Sequence, residues 1–358
     1  MPDPRPRVAV LGTGANGAGI GADLARAGHD VTLIDQWPAN VDAVRRNGLR
    51  VDTPDDSEVT HVEIRHLCEV AEMRDKFDVV FVLVKAYDTR WACELVKPLL
   101  NEDAVVVGVQ NGMSIDDMAD VLGAERVLGA VIEISANMFD PGVVDRHSPR
   151  SRSWFAVGSL TESTLSKLET VRALLSAAGT AELSDDIRSS KWMKLVANAA
   201  ELVPSAILYM PLGKAAATPG MRSVMEAAAI EAVEACLASG NSLKPIFGMA
   251  EEDIGDAHEY AVALLDRVLT HYTLDSTKTT VLQDWMKGRR SEVHEINGHV
   301  VRALREVGRA APVNQRIIDI AVEIESGSRL PGLSNLADLM EVLPSTDRDS
   351  FVTPQPAL

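Results

Sequence analysis

The chain has 358 residues, 46% of them apolar, so it is long enough for two domains with buried cores and too apolar to be disordered. Its 52 Asp and Glu residues outnumber 35 Lys and Arg residues, and the formal charge of −17 would repel nucleic acid and anionic membrane surfaces. We therefore expect no nucleic-acid or membrane partner, and any anionic ligand must be bound by local features.

Five apolar segments in the first half have the continuous pattern of strands buried on both faces. They are VAVLG (8–12), DVTLID (30–35), DVVFVLVK (78–85), AVVVGVQNG (104–112) and RVLGAVIEIS (126–135). Helical segments alternate with them, which predicts an α/β Rossmann domain with a doubly wound parallel sheet over residues 1–183. The polar stretch TAELSDDIRSS, residues 180–190, is the predicted hinge to a second domain.

A glycine-rich turn follows the first strand. Gly12, Gly14 and Gly17 form GxGxxG and lead into the helical stretch GAGIGADLARAG. In such a unit the glycines permit a tight turn, close approach of a pyrophosphate and packing of the helix on the strand. We predict a dinucleotide site here that includes Ala15 and Asn16, with the phosphates at the N-terminus of the helix.

Polar side chains end three of these strands. Asp35 stands where a carboxylate accepts hydrogen bonds from the ribose hydroxyls of NAD and would repel a 2′-phosphate, although it also fits a cap of a strand end or turn. Lys85 in LVKAYDT and Asn111 in VQNGM follow strand ends, where open parallel sheets bind ligands. The structural alternatives are a solvated lysine and an ordinary Asn-Gly turn.

After about residue 180, Ala, Leu, Met and Glu replace the β-branched runs. SVMEAAAIEAVEACLASG (223–240) and EINGHVVRALREVG (295–308) are examples, and they predict an all-helical domain over residues 184–330. Residues 331–358 are predicted to form a tail with one short helix, NLADLMEVL.

The helical half opens with KWMKLVANAAELVPSAI, in which Lys194 and Asn198 share one helix face. A lysine on an apolar helix is costly unless it is paired or functional, so Lys194 is a candidate proton donor. Lys191 is the predicted exposed helper. The structural alternative is a lysine whose stem lies along a core Trp192.

A third stretch, TTVLQDWMKGRRSEVHEINGH, covers residues 279–299. In it, Thr280 and Gln283 fit a capping box. Glu292 precedes an apolar helical pattern and fits an acid at a helix start.

These motifs together resemble the ketopantoate reductase (2-dehydropantoate 2-reductase) family over about residues 7–325. The motifs GxGxxG, VKAYDT, QNGM, WMKLVAN, QDWMKGRRSEVHEING and GRAAPVN occur in that order. The resemblance implies a Rossmann domain followed by a helical domain like that of 6-phosphogluconate dehydrogenases.

The resemblance also implies residue roles. Lys194 is then the general acid/base that protonates the carbonyl oxygen as hydride arrives, and Glu292 binds the substrate hydroxyl and steadies the lysine. Asn198 binds substrate, and Thr280 replaces a serine that contacts the substrate carboxylate. Lys85 and Asn111 lie near the nicotinamide, with Asn111 also near the substrate.

Two positions depart from the family pattern. Leu202 replaces the second substrate asparagine, which favours a larger or less polar substrate. Family members selective for NADP carry a basic residue just after the second strand, where this chain has Asp35 and then Gln36 as cofactor contacts. The predicted cofactor is therefore NAD, with NADP as the alternative.

Three functions follow from these observations. The leading one is an NAD(P)-dependent reduction of 2-dehydropantoate to pantoate. The second is an NAD-dependent dehydrogenase that oxidises a less polar hydroxy acid or secondary alcohol. The third is a non-catalytic dinucleotide sensor, against which Lys194, Asn198 and Glu292 argue because sensing needs no proton donor.

The remaining expectations concern setting and assembly. Cys68, Cys93 and Cys236 fit neither a disulfide framework nor a metal site, so we expect no metal and a reducing cytoplasm. MPDPRPR lacks the apolar segment of an export signal, and no apolar run reaches the ~18 residues of a membrane span. We expect a small-molecule ketone or alcohol as partner and a homodimer through the Ala-rich helices.

Overall fold

A computed structural model describes residues 5–343. The chain folds into two compact units, Met1–Lys191 and Trp192–Leu358. The predicted boundary between residues 183 and 184 lies inside the first unit. The first turn of the long helix that follows belongs to that unit because Ile187 packs against Val131 and Ala156.

The first unit holds all strands of the described residues. The strands are β1 (Arg7–Leu11), β2 (Asp30–Asp35), β3 (Leu49–Asp52), β4 (Ser57–Thr60), β5 (Glu63–His66), β6 (Phe77–Val82), β7 (Leu100–Gly108), β8 (Val127–Glu133), β9 (Ala136–Asn137), β10 (Val143–Arg146), β11 (Trp154–Ser159) and β12 (Thr180–Leu183). The α-helices of this unit are α1 (Ala15–Arg26), α2 (Pro38–Asn47), α3 (Thr89–Val96), α4 (Ile115–Leu122), α5 (Leu168–Leu175) and the start of α6 (Ile187–Ile207).

The main sheet of the described residues has eight strands in the order β12-β11-β8-β7-β6-β1-β2-β5. Neighbouring strands are parallel except for β11, which runs antiparallel to β8. The five predicted strands correspond to β1, β2, β6, β7 and β8, so the prediction of a doubly wound, mainly parallel sheet is confirmed. The strand order reverses between β1 and β6, which is where such sheets bind ligands.

Burial on both faces explains the continuous apolar runs. Val8 and Val10 of β1 pack on the side of α1, whereas Ala9 and Leu11 pack on the side of α3. Each strand residue therefore meets a helix whichever way its side chain points.

Several short strands were not predicted. A second sheet, in the order β4-β3-β10-β9, is built from strands of two to four residues, too short for a clear periodic signal. The stretch predicted as the hinge, residues 180–190, lies inside the first unit, where it supplies β12 and the first turn of α6. β12 is an edge strand in which only Ala181 is buried, so its sequence looks polar.

The second unit is all-helical in its described residues, which confirms the predicted class of this half. It contains the rest of α6, α7 (Leu212–Ala216), α8 (Met221–Ala238), α9 (Ala257–Arg267), α10 (Thr280–Met286), α11 (Asn297–Glu306), α12 (Pro312–Glu325) and α13 (Leu336–Met340). The short helix α13 falls in the predicted tail, of which residues 344–358 lie outside the described residues. Over residues 5–343, every helix is too short or too polar to cross a bilayer.

A buried polar network joins four helices of the second unit. The carboxylate of Glu231 on α8 accepts the N–H groups of Val313 and Asn314 at the start of α12, both at 2.9 Å, and burial raises its pKa. Asn297 donates from Nδ2 to Asn314 Oδ1 at 2.9 Å and to the carbonyl of Ala199 on α6 at 3.0 Å. The motifs EING and GRAAPVN therefore contribute buried contacts that position the helices.

Candidate active site

The three predicted glycines follow the carboxyl end of β1, with Gly12 and Gly14 in the turn and Gly17 in the first turn of α1. Gly12 has a φ of +92°, and a Cβ there would lie 2.5 Å from the amide nitrogen of Val84, just beyond β6. A Cβ on Gly17 would lie 2.1 Å from the carbonyl oxygen of Gly12. A Cβ on Gly14 would meet no atom of the described residues within 4 Å. Two glycines are thus required by packing, and the third leaves open space above the backbone.

The start of α1 fits the pyrophosphate of a dinucleotide. The helix begins at Ala15, and Gly14 in the N-cap position has no side chain to bind the first N–H groups. Asn16 carries a buried Oδ1 that has no hydrogen-bond partner among the described residues. Free N–H groups and the positive end of the helix dipole favour an anion at this place.

Asp35 lies at the end of β2, 6% exposed, and already has several donors. Its carboxylate accepts from Thr13 Oγ1 at 2.7 Å, from the Trp37 N–H at 3.1 Å and from Asn40 Nδ2. These bonds hold the turn between β2 and α2, which is the structural role considered for this residue. A carboxylate has about four acceptor positions, so capacity for a ribose hydroxyl remains. The next residue, Gln36, is exposed.

Lys85 and Asn111 each lie three residues beyond a strand end, after the neighbouring strands β6 and β7. Both side chains are half-buried. The backbone carbonyl of Lys85 accepts the N–H of Asp88 at 2.8 Å in a short turn, and Gly112 turns the chain after Asn111 with a φ of +77°. Both residues therefore stand at the edge of the sheet that carries the glycine turn.

A buried network holds the segment that carries Asn111. Gln110 donates from Nε2 to Thr89 Oγ1 at 2.8 Å and accepts from Ser114 Oγ at 3.0 Å. Its backbone carbonyl accepts from Lys191 Nζ at 2.9 Å, and the carbonyl of Ala130 accepts from the same nitrogen at 3.2 Å. Gln110 was missed by sequence reasoning, although it stands inside the QNGM motif.

Lys191 is the clearest correction to the sequence analysis. It was predicted to be exposed, but it is 3% exposed because its Nζ reaches the segment just after β7 and the middle of β8. Burial lowers the pKa of Lys191 to about 8, while Asp116 acts in the opposite direction.

In the second unit, Lys194 and Asn198 lie four residues apart on α6, as the spacing predicts. Lys194 is half-buried, and its Nζ lies 4.9 Å from the ring centroid of Phe247. The core aromatic Trp192 packs on His299 with a centroid distance of 5.0 Å. No sequence pattern had indicated Phe247.

Three buried amide or hydroxyl atoms of this unit have no hydrogen-bond partner among the described residues. They are Nδ2 of Asn198, whose side chain is 1% exposed, Oγ1 of Thr280, and Oδ1 of Asn297 in the polar network between the helices. Buried polar groups are nearly always hydrogen-bonded, so this donor and this hydroxyl are available to a ligand. Leu202, one helical turn after Asn198, is 6% exposed and presents an apolar side chain.

The cap of α10 differs from the predicted one. Thr279, not Thr280, is the N-cap: its Oγ1 accepts the N–H of Leu282 at 3.5 Å and donates to the carbonyl of Leu202 at 3.0 Å. Gln283 donates from its side chain to the carbonyl of Lys278 instead of completing a box. Two adjacent threonines leave the start of α10 ambiguous in the sequence. The bond from Thr279 to the carbonyl of Leu202 on α6 accompanies the start that the structure adopts.

Glu292 is 4% exposed and lies in a turn before α11. Its backbone carbonyl accepts the N–H of Ile296 at 2.9 Å. The helix starts only at Asn297, so Glu292 is not an acid of its first turn.

Comparisons with known proteins cover both units. The family model described as Ketopantoate reductase PanE/ApbA matches residues 8–160, and the one described as Ketopantoate reductase PanE/ApbA C terminal matches residues 186–325. The 2-dehydropantoate 2-reductase of Archaeoglobus fulgidus is 29% identical over 323 residues, which are 90% of this chain and 98% of that protein.

Two solved structures have the same fold. The PanE/ApbA family ketopantoate reductase from Ralstonia eutropha JMP134 superposes with a TM-score of 0.75 at 29% identity, covering 90% of this chain and 99% of that one. D-mandelate dehydrogenase with NADH and anilino(oxo)acetate superposes with a TM-score of 0.80 at 20% identity and the same coverage. At that lower identity the likeness shows the fold alone.

Proposed function

Because the chain belongs to the ketopantoate reductase family and is thus an oxidoreductase acting on a CH–OH group, we propose that it transfers hydride between NAD(P) and a 2-oxo acid. The leading reaction is reduction of 2-dehydropantoate to pantoate. The observation that carries the proposal is the pair of unpartnered buried groups, Asn198 Nδ2 and Thr280 Oγ1, in the unit that holds Lys194. A small polar acid offers the acceptors that these groups lack.

The proposed roles follow from the chemistry of each side chain. Bound NAD(P)H supplies the hydride for the carbonyl carbon. The ammonium of Lys194 donates a proton to the carbonyl oxygen, and its neutral amine takes that proton back in the oxidative direction. Asn198 and Thr280 hold the substrate, with Thr280 on its carboxylate. Glu292 binds the substrate hydroxyl and orients Lys194.

For the cofactor we propose NAD, held at its pyrophosphate by the turn from Gly12 to Gly17 and at its nicotinamide side by Lys85 and Asn111. The carboxylate of Asp35 supports this choice because a 2′-phosphate would meet its negative charge. Exposed Gln36 adds no positive charge there.

A second candidate is the oxidation of a larger or less polar hydroxy acid or secondary alcohol. The buried apolar side chain of Leu202 favours it, since leucine in place of an amide offers no hydrogen bond to a polar substituent and packs against hydrocarbon.

The test is a substrate panel with purified protein, NADH or NADPH, 2-dehydropantoate and 2-oxo acids of increasing apolar size, followed by the absorbance of reduced nicotinamide. Turnover supports the proposal, and the preferred side chain decides between the two candidates. Tight cofactor binding without turnover of any ketone or alcohol would instead support the sensor.

The role of Lys194 is tested in the same assay. We expect Lys194→Ala to lower kcat by about 10²–10⁴ with cofactor binding retained, which is the range for general acid catalysis. Lys214→Ala, at an exposed lysine of the same unit, is the matched control and should leave kcat unchanged. Full activity of Lys194→Ala would refute its assignment.

A further inference from the structure

Phe247 is a buried aromatic residue in an unusual backbone conformation beside the proposed proton donor. It lies in the segment between α8 and α9, its side chain is 0% exposed, and its φ is +56°. Residues with a Cβ adopt this left-handed region rarely, and outliers of this kind occur at positions that the surrounding structure holds in place.

The surroundings of Phe247 supply that restraint. Its carbonyl accepts from Arg267 Nε at 3.0 Å and from the Tyr272 hydroxyl at 3.3 Å. Arg267 also donates from Nη2 to the carbonyl of Gly248 at 2.7 Å. The ring of Tyr272 packs on the Phe247 ring with a centroid distance of 5.3 Å. Arg267 and Tyr272 therefore restrain the turn, and Tyr272 also restrains the ring.

The ring presents its face to a charged group. The Nζ of Lys194 lies 4.9 Å from the ring centroid, within the distance at which an ammonium is attracted to the negative face of an aromatic ring. Because the ring is fully buried, it acts through the lysine and does not need to touch the substrate.

We infer that Phe247 is the positioning residue of Lys194: its fixed ring holds the ammonium head group in place and favours the charged form that donates the proton. This inference rests on the proposed role of Lys194. The flexible side chain of a lysine has many rotamers. A fixed ring beneath its ammonium reduces the number of rotamers that the lysine samples before it donates the proton. The sequence segment NSLKPIFGM is thereby assigned a place in the reaction.

The test uses two variants of Phe247, one without an aromatic ring and one with a ring of altered charge distribution. Phe247→Leu removes the aromatic face, and Phe247→3,4,5-trifluorophenylalanine keeps the shape but weakens the negative face, so it serves if the leucine variant fails to fold. We expect kcat to fall by about 2- to 30-fold, KM to stay near the wild-type value, and the midpoint of the alkaline limb of the kcat profile to move to lower pH. The same fluorinated residue at Phe155, which is buried in β11, is the control and should change none of these.

A second readout does not depend on turnover. The protein is reductively methylated with ¹³C, the resonance of Lys194 is assigned with Lys194→Arg, and its titration midpoint is measured without substrate. The buried carboxylates of the same unit, Glu201, Glu231, Asp284 and Glu292, are identical in every variant. A lower titration midpoint of Lys194 in both Phe247 variants supports the positioning role of the Phe247 ring. This result would stand even if no substrate of the panel were turned over, and only the proposed function would then fail. An unchanged midpoint in the folded trifluorophenylalanine variant would overturn the inference.

Discussion

Asp35 combines a structural and a proposed cofactor role in one carboxylate. We expect Asp35→Ala to reduce the ratio of kcat/KM for NADH over NADPH, since a 2′-phosphate would no longer meet a like charge. The same change leaves the buried hydroxyl of Thr13 without its acceptor and leaves the Asn40 amide only the carbonyl of Thr13, so the free energy of unfolding should fall by about 1–3 kcal/mol. Cofactor kinetics and urea unfolding measure the two effects.

Thr13→Val separates the effect on cofactor preference from the effect on stability. It removes one donor to Asp35 but keeps the carboxylate, so stability should fall while the cofactor ratio stays as in the wild type. A wild-type enzyme that prefers NADPH would contradict the proposed role of Asp35.

Lys191 makes folding stability depend on pH. Its pKa of about 8 lies below the usual 10.5, so between these values the folded chain has released a proton that the unfolded chain still binds. The contribution of Lys191 to the free energy of unfolding therefore rises with pH from about 8 to 10.5. We therefore expect the free energy of unfolding of the wild type, minus that of Lys191→Met, to rise by up to ~1.4 kcal/mol per pH unit in this range.

Urea unfolding at several pH values tests this prediction. Lys214→Met, at an exposed lysine, is the control and should give a difference from wild type that does not vary with pH. A constant difference for Lys191→Met as well would show that burial does not shift the titration of Lys191.

At the scale of elements, the start of α10 places a structural and a proposed functional threonine side by side. Thr279→Ala removes the N-cap and should cost about 1 kcal/mol of unfolding free energy, with little change in KM. Thr280→Val should leave stability near wild type and raise KM for a 2-oxo acid by about tenfold or more, as expected for a lost bond to a carboxylate. Steady-state kinetics and chemical unfolding of both variants give the comparison, with Thr280→Ser as the conservative control.

The opposite pattern, a destabilised Thr280→Val with unchanged KM, would assign Thr280 to the fold. The sequence TTV fits a cap at either threonine, and the bonds of Thr279 to the Leu282 N–H and to the Leu202 carbonyl show which register α10 adopts.

Elements differed in how well their sequences predicted them. β1, β2, β6, β7 and β8 were identifiable because burial on both faces produces continuous apolar runs. β12 and the four short strands of the second sheet were not, because edge strands and strands of two to four residues leave no period to detect.

At the scale of the whole molecule, the homodimer remains a prediction. We expect sedimentation equilibrium at micromolar concentration to give about twice the chain mass of 38.6 kDa. The second unit exposes large apolar side chains, among them Leu330 at 82% and Leu333 at 51%, which would be covered more favourably in an interface. A species of one chain mass at these concentrations would contradict the prediction.

The sequence by itself determined the features that depend on neighbours along the chain. The glycine turn is visible because GxGxxG has a fixed spacing directly after a strand, the strands because of their apolar runs, and the pairing of Lys194 with Asn198 because helices repeat every 3.6 residues. The order of six motifs added the family, which the two family models then matched.

The tertiary structure alone decided which residues meet across large separations in the chain. It buried Lys191 under the carbonyls of Gln110 and Ala130, and it placed the ring of Phe247 beneath the ammonium of Lys194. The physical reason is that burial and contact distance are properties of packed elements, and no local period or spacing in the sequence encodes which distant side chain will fill a given place.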